Sequence, residues 1–338
     1  MTSSSSLPTT TLGTDGLRVG LQGLGCMGMS EFYGPTDSAE ARATLDHALE
    51  LGVTLFDTAD IYGSGDNEKF LSDFVRANRD AIVLATKFGI VRKADDPAYR
   101  GFDNSPDYIR RAVDASLYRL GIDTIDLYYM HRRDPAVPLE DSVGTMAELV
   151  RQGKVRALGL SEVTGAELRA AHAIHPIAAV QSEWSLFSRD VESTAVPAAA
   201  ELGVAFVPYS PLGRGFLTGS FARGDELNDS DFRRNMPRFT GENADHNAAL
   251  LAPLRSIAEE RGLTPAQIAL AWVHSRARAH ELPVIPIPGT RRRTRLDENV
   301  AAATTELTEA ELARLDPIAG QVAGTRYPDM SFTSAGRE

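Results

Sequence analysis

Residues 55–63, L-F-D-T-A-D-I-Y-G, residues 82–89, I-V-L-A-T-K-F-G, and residues 125–134, I-D-L-Y-Y-M-H-R-R-D, decide the fold. Each begins as a short apolar, β-prone run and ends in polar side chains: Asp57 and Tyr62, Lys87, and His131. Taken as neighbouring parallel strands of one barrel, the three runs bring all four side chains to its C-terminal mouth, where such barrels carry out their chemistry.

Working outward, further β-prone runs lie near 21–25, 155–160, 178–182, 204–209 and 284–287, which makes eight in all. Amphipathic helical stretches run between them, among them 37–51, 105–120, 139–152 and 167–173. Asp37 before S-A-E-A, and Ser105 with Pro106 at the first helical position, are helix-start signals. Eight alternating strand and helix units predict an α/β fold closed into a (β/α)8 barrel, preceded by a hairpin at T-T-L-G-T-D-G-L-R-V, residues 10–19. The stretch 210–283 breaks the spacing: a polar, Gly- and Asn-rich segment at 224–247 is followed by two helix-like runs. It predicts a long functional loop and an extra helix before the eighth strand. With no shift in composition along the chain, 1–338 is expected to be one domain, with 1–7 and 331–338 as flexible tails.

The 338 residues are 43% hydrophobic and 24% charged, ample for a large core. A net charge of −11 disfavours nucleic acid or an anionic membrane as partner, since both need a basic face. Cys26 is the only cysteine, so no intrachain disulfide can form, and a cytoplasmic setting is the simplest expectation. No apolar run approaches the ~18 residues of a membrane span. The histidines lack zinc-site spacing, and no metal is expected.

Asp57, Lys87 and Tyr62 make sense as one hydrogen-bonded unit. A phenol is a poor acid at neutral pH unless its phenolate is stabilised; an ammonium beside it does that, and a carboxylate holds the ammonium in place. A neutral His131 would donate to a carbonyl oxygen as negative charge develops there. The four together suit a carbonyl reduction with Tyr62 as proton donor. The plain alternative for any one of them is a strand-end lysine paired with a nearby aspartate.

Gly23, Gly25 and Gly28 in G-L-G-C-M-G fit a dinucleotide fingerprint, but Gly34 and Pro35 block the helix that this fingerprint needs. The glycines instead predict a close approach of the loop Gly25-Cys26-Met27 to a ligand at the mouth. Ser161, Glu162 and Gln181, with Tyr209 and Ser210 opening Y-S-P-L-G-R-G, describe a planar, amide-bearing ligand such as nicotinamide. In I-P-I-P-G-T-R-R-R-T-R, Pro288, Gly289 and Thr290 lead into a helix whose start carries Arg291 and Arg295, a site for phosphate. Arg292 and Arg293 read as a solvated face.

G-L-G-C-M-G-M-S, F-D-T-A-D-I-Y-G, A-T-K-F-G, D-L-Y-Y-M-H-R-R-D, G-K-V-R-A-L-G-L-S-E, Y-S-P-L-G-R-G-F-L-T-G, I-P-I-P-G-T-R and L-D-E-N occur in that order, and the chain resembles the aldo-keto reductases. The resemblance implies an NADPH-dependent reductase of aldehydes or ketones with a tetrad of Asp57, Tyr62, Lys87 and His131. It implies Ser161, Glu162 and Gln181 on the carboxamide and Tyr209 under the nicotinamide. Ser210, Pro211, Leu212 and Arg214 would lie along the pyrophosphate, with Glu298 and Asn299 facing the adenine. Glu162 departs from the Asn of many members. Met29, Phe32, Arg132 and Trp184 are the expected substrate wall. The loop 210–247 resembles the branch related to potassium-channel β subunits, so a cofactor-sensing accessory subunit, or a homo-oligomer, is an alternative. A Schiff-base aldolase using Lys87 is another.

Overall fold

The computed structural model describes residues 7–13, 16–93, 95–220 and 223–338. The hairpin forms from β1 (Thr9–Leu12) and β2 (Leu17–Gly20), with part of its turn outside the described residues. Then follow β3 (Leu24–Gly25), α1 (Ser38–Glu50), β4 (Leu55–Asp57), α2 (Asp66–Ala77), β5 (Val83–Phe88), an inserted antiparallel pair β6 (Ile90–Lys93) and β7 (Asp96–Phe102), α3 (Pro106–Leu120) and β8 (Ile125–Met130). The second half continues with α4 (Leu139–Arg151), β9 (Val155–Ser161), α5 (Gly165–Ile174), β10 (Ile177–Glu183), α6 (Ala195–Leu202) and β11 (Ala205–Tyr209). Last come α7 (Gly241–Ala249), α8 (Ala252–Arg261), α9 (Pro265–His280), α10 (Arg293–Ala301) and α11 (Glu309–Leu315). The helix starts at Asp37 and Ser105 are as expected: each side chain accepts backbone N–H groups of the first turn.

Seven strands form one parallel sheet in the order β11-β10-β9-β8-β5-β4-β3. The eighth segment closes it through single parallel bridges, Phe206 to Val284 and Gly25 to Gly289, rather than a ladder. Its sequence gives the reason: Ile285 and Ile287 donate to the Phe206 and Pro208 carbonyls of β11 at 2.9 and 3.0 Å, but Pro286 and Pro288, which alternate with them, have no N–H to donate on the other side. With helices around this nearly closed sheet, the architecture is a (β/α)8 barrel.

Strand side chains alternate between two faces, so parity decides what enters the barrel. Leu55, Val83, Ala85, Leu127, Tyr129, Ala157, Ala179, Ala205, Val207, Ile285 and Ile287 pack together inside, and Leu12, Leu17 and Val19 of the hairpin join the same cluster. One step further along the same parity stand Asp57, Lys87, His131, Gln181 and Tyr209. The opposite parity, including Phe88, Tyr128, Met130, Leu158, Leu160, Val180 and Phe206, packs against the helices.

Gly23 and Gly25 also serve closure. A β-carbon on Gly25 would stand 2.9 Å from the Ile287 carbonyl oxygen, and one on Gly23 would stand 2.9 Å from that of Leu55. Two expectations about the ends need correction. Residues 331–338 do not trail away: Thr333 and Ser334 are buried, and Arg337 donates to the Glu162 carbonyl at 2.7 Å. Leu7 is buried against α1 and its following turn, while residues 1–6 lie outside the described residues. Among the described residues no helix is long and apolar enough to cross a membrane.

Gly25→Ala should therefore loosen barrel closure and cost about 1–3 kcal/mol by overpacking. Gly144→Ala, inside α4 with nothing within 4 Å of the new methyl group, should be neutral or stabilising. Urea denaturation of both variants checks this; equal midpoints would remove the steric role of Gly25.

Candidate active site

The four strand-end groups meet as expected. The Lys87 ammonium, fully buried, donates to Asp57 Oδ1, to the Thr58 carbonyl at 2.8 Å and to Tyr62 Oη at 3.4 Å. Gln181 Nε2 donates to the other Asp57 oxygen at 2.8 Å, so that carboxylate is held from two strands. Tyr62 reaches the cluster because Gly63, Ser64 and Gly65 after it all take left-handed backbone angles, turning the chain from β4 into α2. The His131 ring meets the Tyr62 ring edge-on, with centroids 5.9 Å apart.

Electrostatics assign protons. Burial first, then Asp57, raises the Tyr62 phenol well above its ordinary value, so it is protonated at neutral pH. Burial, with the charges of Arg132 and Lys87, pushes His131 well below the usual histidine range and keeps it neutral. Burial likewise lowers Lys87, against the attraction of Asp57. The expected softening of the phenol by Lys87 is not its resting state, because Lys87 is engaged first by Asp57 and Thr58.

A cavity of about 930 Å³ opens above these groups, within the range of small-ligand sites. Its wall includes Asp57, Tyr62, His131, Arg132, Gln181 and Phe32 at the reacting end. Gly25, Met27, Tyr209, Ser210, Pro211, Leu212 and Arg214 form its middle, and Pro288, Gly289, Thr290, Arg291, Arg292, Arg295, Glu298 and Asn299 its far end. Arg292, expected to be solvated, thus lines it too, whereas Arg293 pairs with Glu40 at 2.9 Å.

Several expected wall residues sit elsewhere, mostly for reasons of parity. Trp184 is wholly buried on the helix side against Phe206 and His280, its indole N–H donating to Glu192 at 2.9 Å. Cys26 and Met29 pack outside the barrel with Leu24, Ala41 and Phe56. Ser161, 1% exposed, accepts from Arg132 Nη1 at 3.1 Å. Arg291 reaches the cavity, but its guanidinium ties down the loop after β3, donating to the carbonyls of Gly28, Tyr33 and Gly34 and to Thr36 Oγ1.

Glu162 is not on the wall either; it latches the C-terminal segment. Its carboxylate accepts from Tyr209 Oη at 2.7 Å, Arg326 at 2.9 and 3.3 Å, and the Ser334 N–H at 3.0 Å. Burial alone would raise this carboxyl; Arg326, Arg132 and the bonds from Tyr209 and Arg326 outweigh it and hold it down to about 2. The latch seats Tyr327, Asp329, Ser331 and Phe332 on the cavity wall, and β6 and β7 add Arg92, Arg100 and Phe102. None of these was singled out from sequence; a glutamate directly after a strand end, with Arg326 and Arg337 in the last turns of chain, was the available signal. Among the described residues no group of three or more His, Cys, Asp or Glu is placed to hold a metal ion.

Glu162→Gln should cost about 3 kcal/mol, because it leaves buried Arg326 with only the half-buried Asp190, at 3.3 Å, as counter-ion. The carboxyl is lowered on folding, so its stabilising effect is full above the ordinary glutamate range and fades as pH falls toward 2. Denaturation of wild type and variant across pH should show the gap narrowing on acidification; a gap independent of pH would contradict the ionised latch.

The family model for the aldo/keto reductases matches residues 23–319. A glycerol dehydrogenase from Gluconobacter oxydans superposes with a TM-score of 0.82 at 28% identity, covering 97% of this chain and 99% of that one. A thermostable aldo-keto reductase, Tm1743, solved with the inhibitor epalrestat, gives 0.72 at 28% identity over 92% of this chain and 100% of its own.

Proposed function

The chain belongs to the aldo/keto reductase family, which makes it an oxidoreductase, and we propose that it reduces an aldehyde or ketone to an alcohol with NADPH, Tyr62 giving the proton. The observation that carries this reading is a phenol and an imidazole facing one cavity, with an ion pair of lysine and aspartate directly behind the phenol; burial favours the protonated phenol and the neutral imidazole. When bound, NADPH supplies the hydride.

The residues present fit that group. The cavity runs continuously from Tyr62 to the arginine-rich start of α10, the Tyr209 ring stands midway as a face for a flat ring, and Gln181 offers an amide. The 2′-phosphate assignment rests on Arg295, and on Arg292 beside it, because Arg291 is committed to the loop after β3. Glu298 accepts from Thr264 Oγ1, which steadies the side chain at the adenine end.

His131, with one N–H to donate, and Tyr62 Oη converge on the carbonyl oxygen and polarise it. As the carbon gains its new C–H bond the oxygen becomes strongly basic, and the Tyr62 O–H bond breaks toward it. The phenolate left behind lies 3.4 Å from the Lys87 ammonium, so the stabilisation expected of Lys87 acts after the proton has gone. Lys87 is engaged by Asp57 and Thr58 behind Tyr62 and is not on the cavity wall, which speaks against its use as an imine-forming nucleophile.

Tyr62→Phe should lower kcat by ~100-fold or more and leave NADPH affinity essentially unchanged, measured by turnover with simple aldehydes and by fluorescence quenching. Wild-type turnover in this variant would exclude Tyr62 as the acid. Arg295→Ala should weaken NADPH about 10- to 150-fold, the scale of one charge-assisted hydrogen bond, and spare NADH. Equal loss for both cofactors would remove the 2′-phosphate from Arg295.

A further inference from the structure

Among the described residues the buried cations are paired, with one exception. Lys87 meets Asp57, Arg133 meets Glu167 at 4.0 Å, Arg214 meets Glu183 at 3.0 Å, Arg276 meets Asp316 at 3.7 Å, and Arg326 meets Glu162 at 2.9 Å. Arg132 is 6% exposed, yet among the described residues no carboxylate lies within 4 Å of its guanidinium. Its Nη1 donates to the His131 carbonyl at 2.7 Å and to Ser161 Oγ at 3.1 Å, and its Nε is buried without a partner. The rings of Tyr209 and Phe332 lie 5.9 and 5.8 Å from its charge centre and offset part of the desolvation. Glu162, the carboxylate whose charge acts on it through space, is already occupied by Arg326, Tyr209 and Ser334.

A buried cation without a counter-ion is costly unless something completes it. Arg132 follows His131 directly and lines the cavity at its reacting end, away from the arginines of α10. We propose that Arg132 binds a carboxylate on the substrate, so that the preferred substrates are small aldehydes or ketones bearing an acid group. Its position as a substrate contact rests on the reductase reading above; the anion site itself rests on the geometry of Arg132. Phe332, held in place through the Glu162 latch, lies against the guanidinium at the cavity wall, and a planar carboxylate entering there would match the guanidinium fork.

The test compares pentanal with 5-oxopentanoate, equal in chain length and differing in the terminal charge, and adds calorimetric binding of pentanoate, which has no carbonyl to reduce. Wild type should favour 5-oxopentanoate in kcat/KM by ~10- to 150-fold, the scale of one charged hydrogen bond, and should bind pentanoate. Arg132→Met should lower the ratio by a similar factor and abolish the pentanoate heat, while Arg132→Lys, which keeps the charge without the fork, should retain part of both. A wild-type ratio near one, or pentanoate binding unaltered in Arg132→Met, overturns the proposal. If neither aldehyde consumes NADPH while pentanoate binding still depends on Arg132, the anion site stands and the reductase reading falls.

Discussion

The site depends on the buried ion pair between Lys87 and Asp57. Taking both charges out of water is expensive, and such a pair is tolerated only when its geometry is good and its remaining donors and lone pairs are satisfied. Here Lys87 also donates to the Thr58 carbonyl, and Gln181 caps the second Asp57 oxygen. The pair thereby fastens β4 to β5 and reaches across the lumen to β10 at the height where catalytic groups emerge. It also fixes the ammonium directly beneath Tyr62, so that loss of the phenolic proton leaves an anion next to a cation that is already desolvated.

Around this pair the barrel is built by alternation. The parity that puts Val83 and Ala85 inside also puts Lys87 inside, and the same count on β8 runs from Leu127 through Tyr129 to His131. That much was legible in the sequence, since each motif carried its own register. The count also explains Trp184: with Gln181 facing in, an odd number of steps turns it out, a consequence hidden by reading the polar strand ends as one group. The eighth strand was legible as a segment but not as an irregular one, although Pro286 and Pro288 carry the reason.

The least legible parts are those made by distant contacts. Arg291 looked like a phosphate ligand because of its place at a helix start; that it ties down the loop after β3 depends on partners more than 250 positions away. The C-terminal residues show neither a helical nor a strand period, and their fold over the mouth is set by Glu162, whose chemistry is that of a structural anion. An asparagine there would bring no charge to set against Arg326, so this roof over the cavity relies on the glutamate.

If hydride and proton reach one carbonyl held under Tyr62 and His131, then NADPH deuterated at both C4 positions of the nicotinamide, supplied with a simple aldehyde, should give an alcohol with a single deuterium on the carbinol carbon. Mass spectrometry and NMR of the product would show the label appearing in step with cofactor oxidation. Alcohol without the label, or cofactor left unoxidised while Lys87 is trapped as an imine adduct by borohydride, would contradict such delivery.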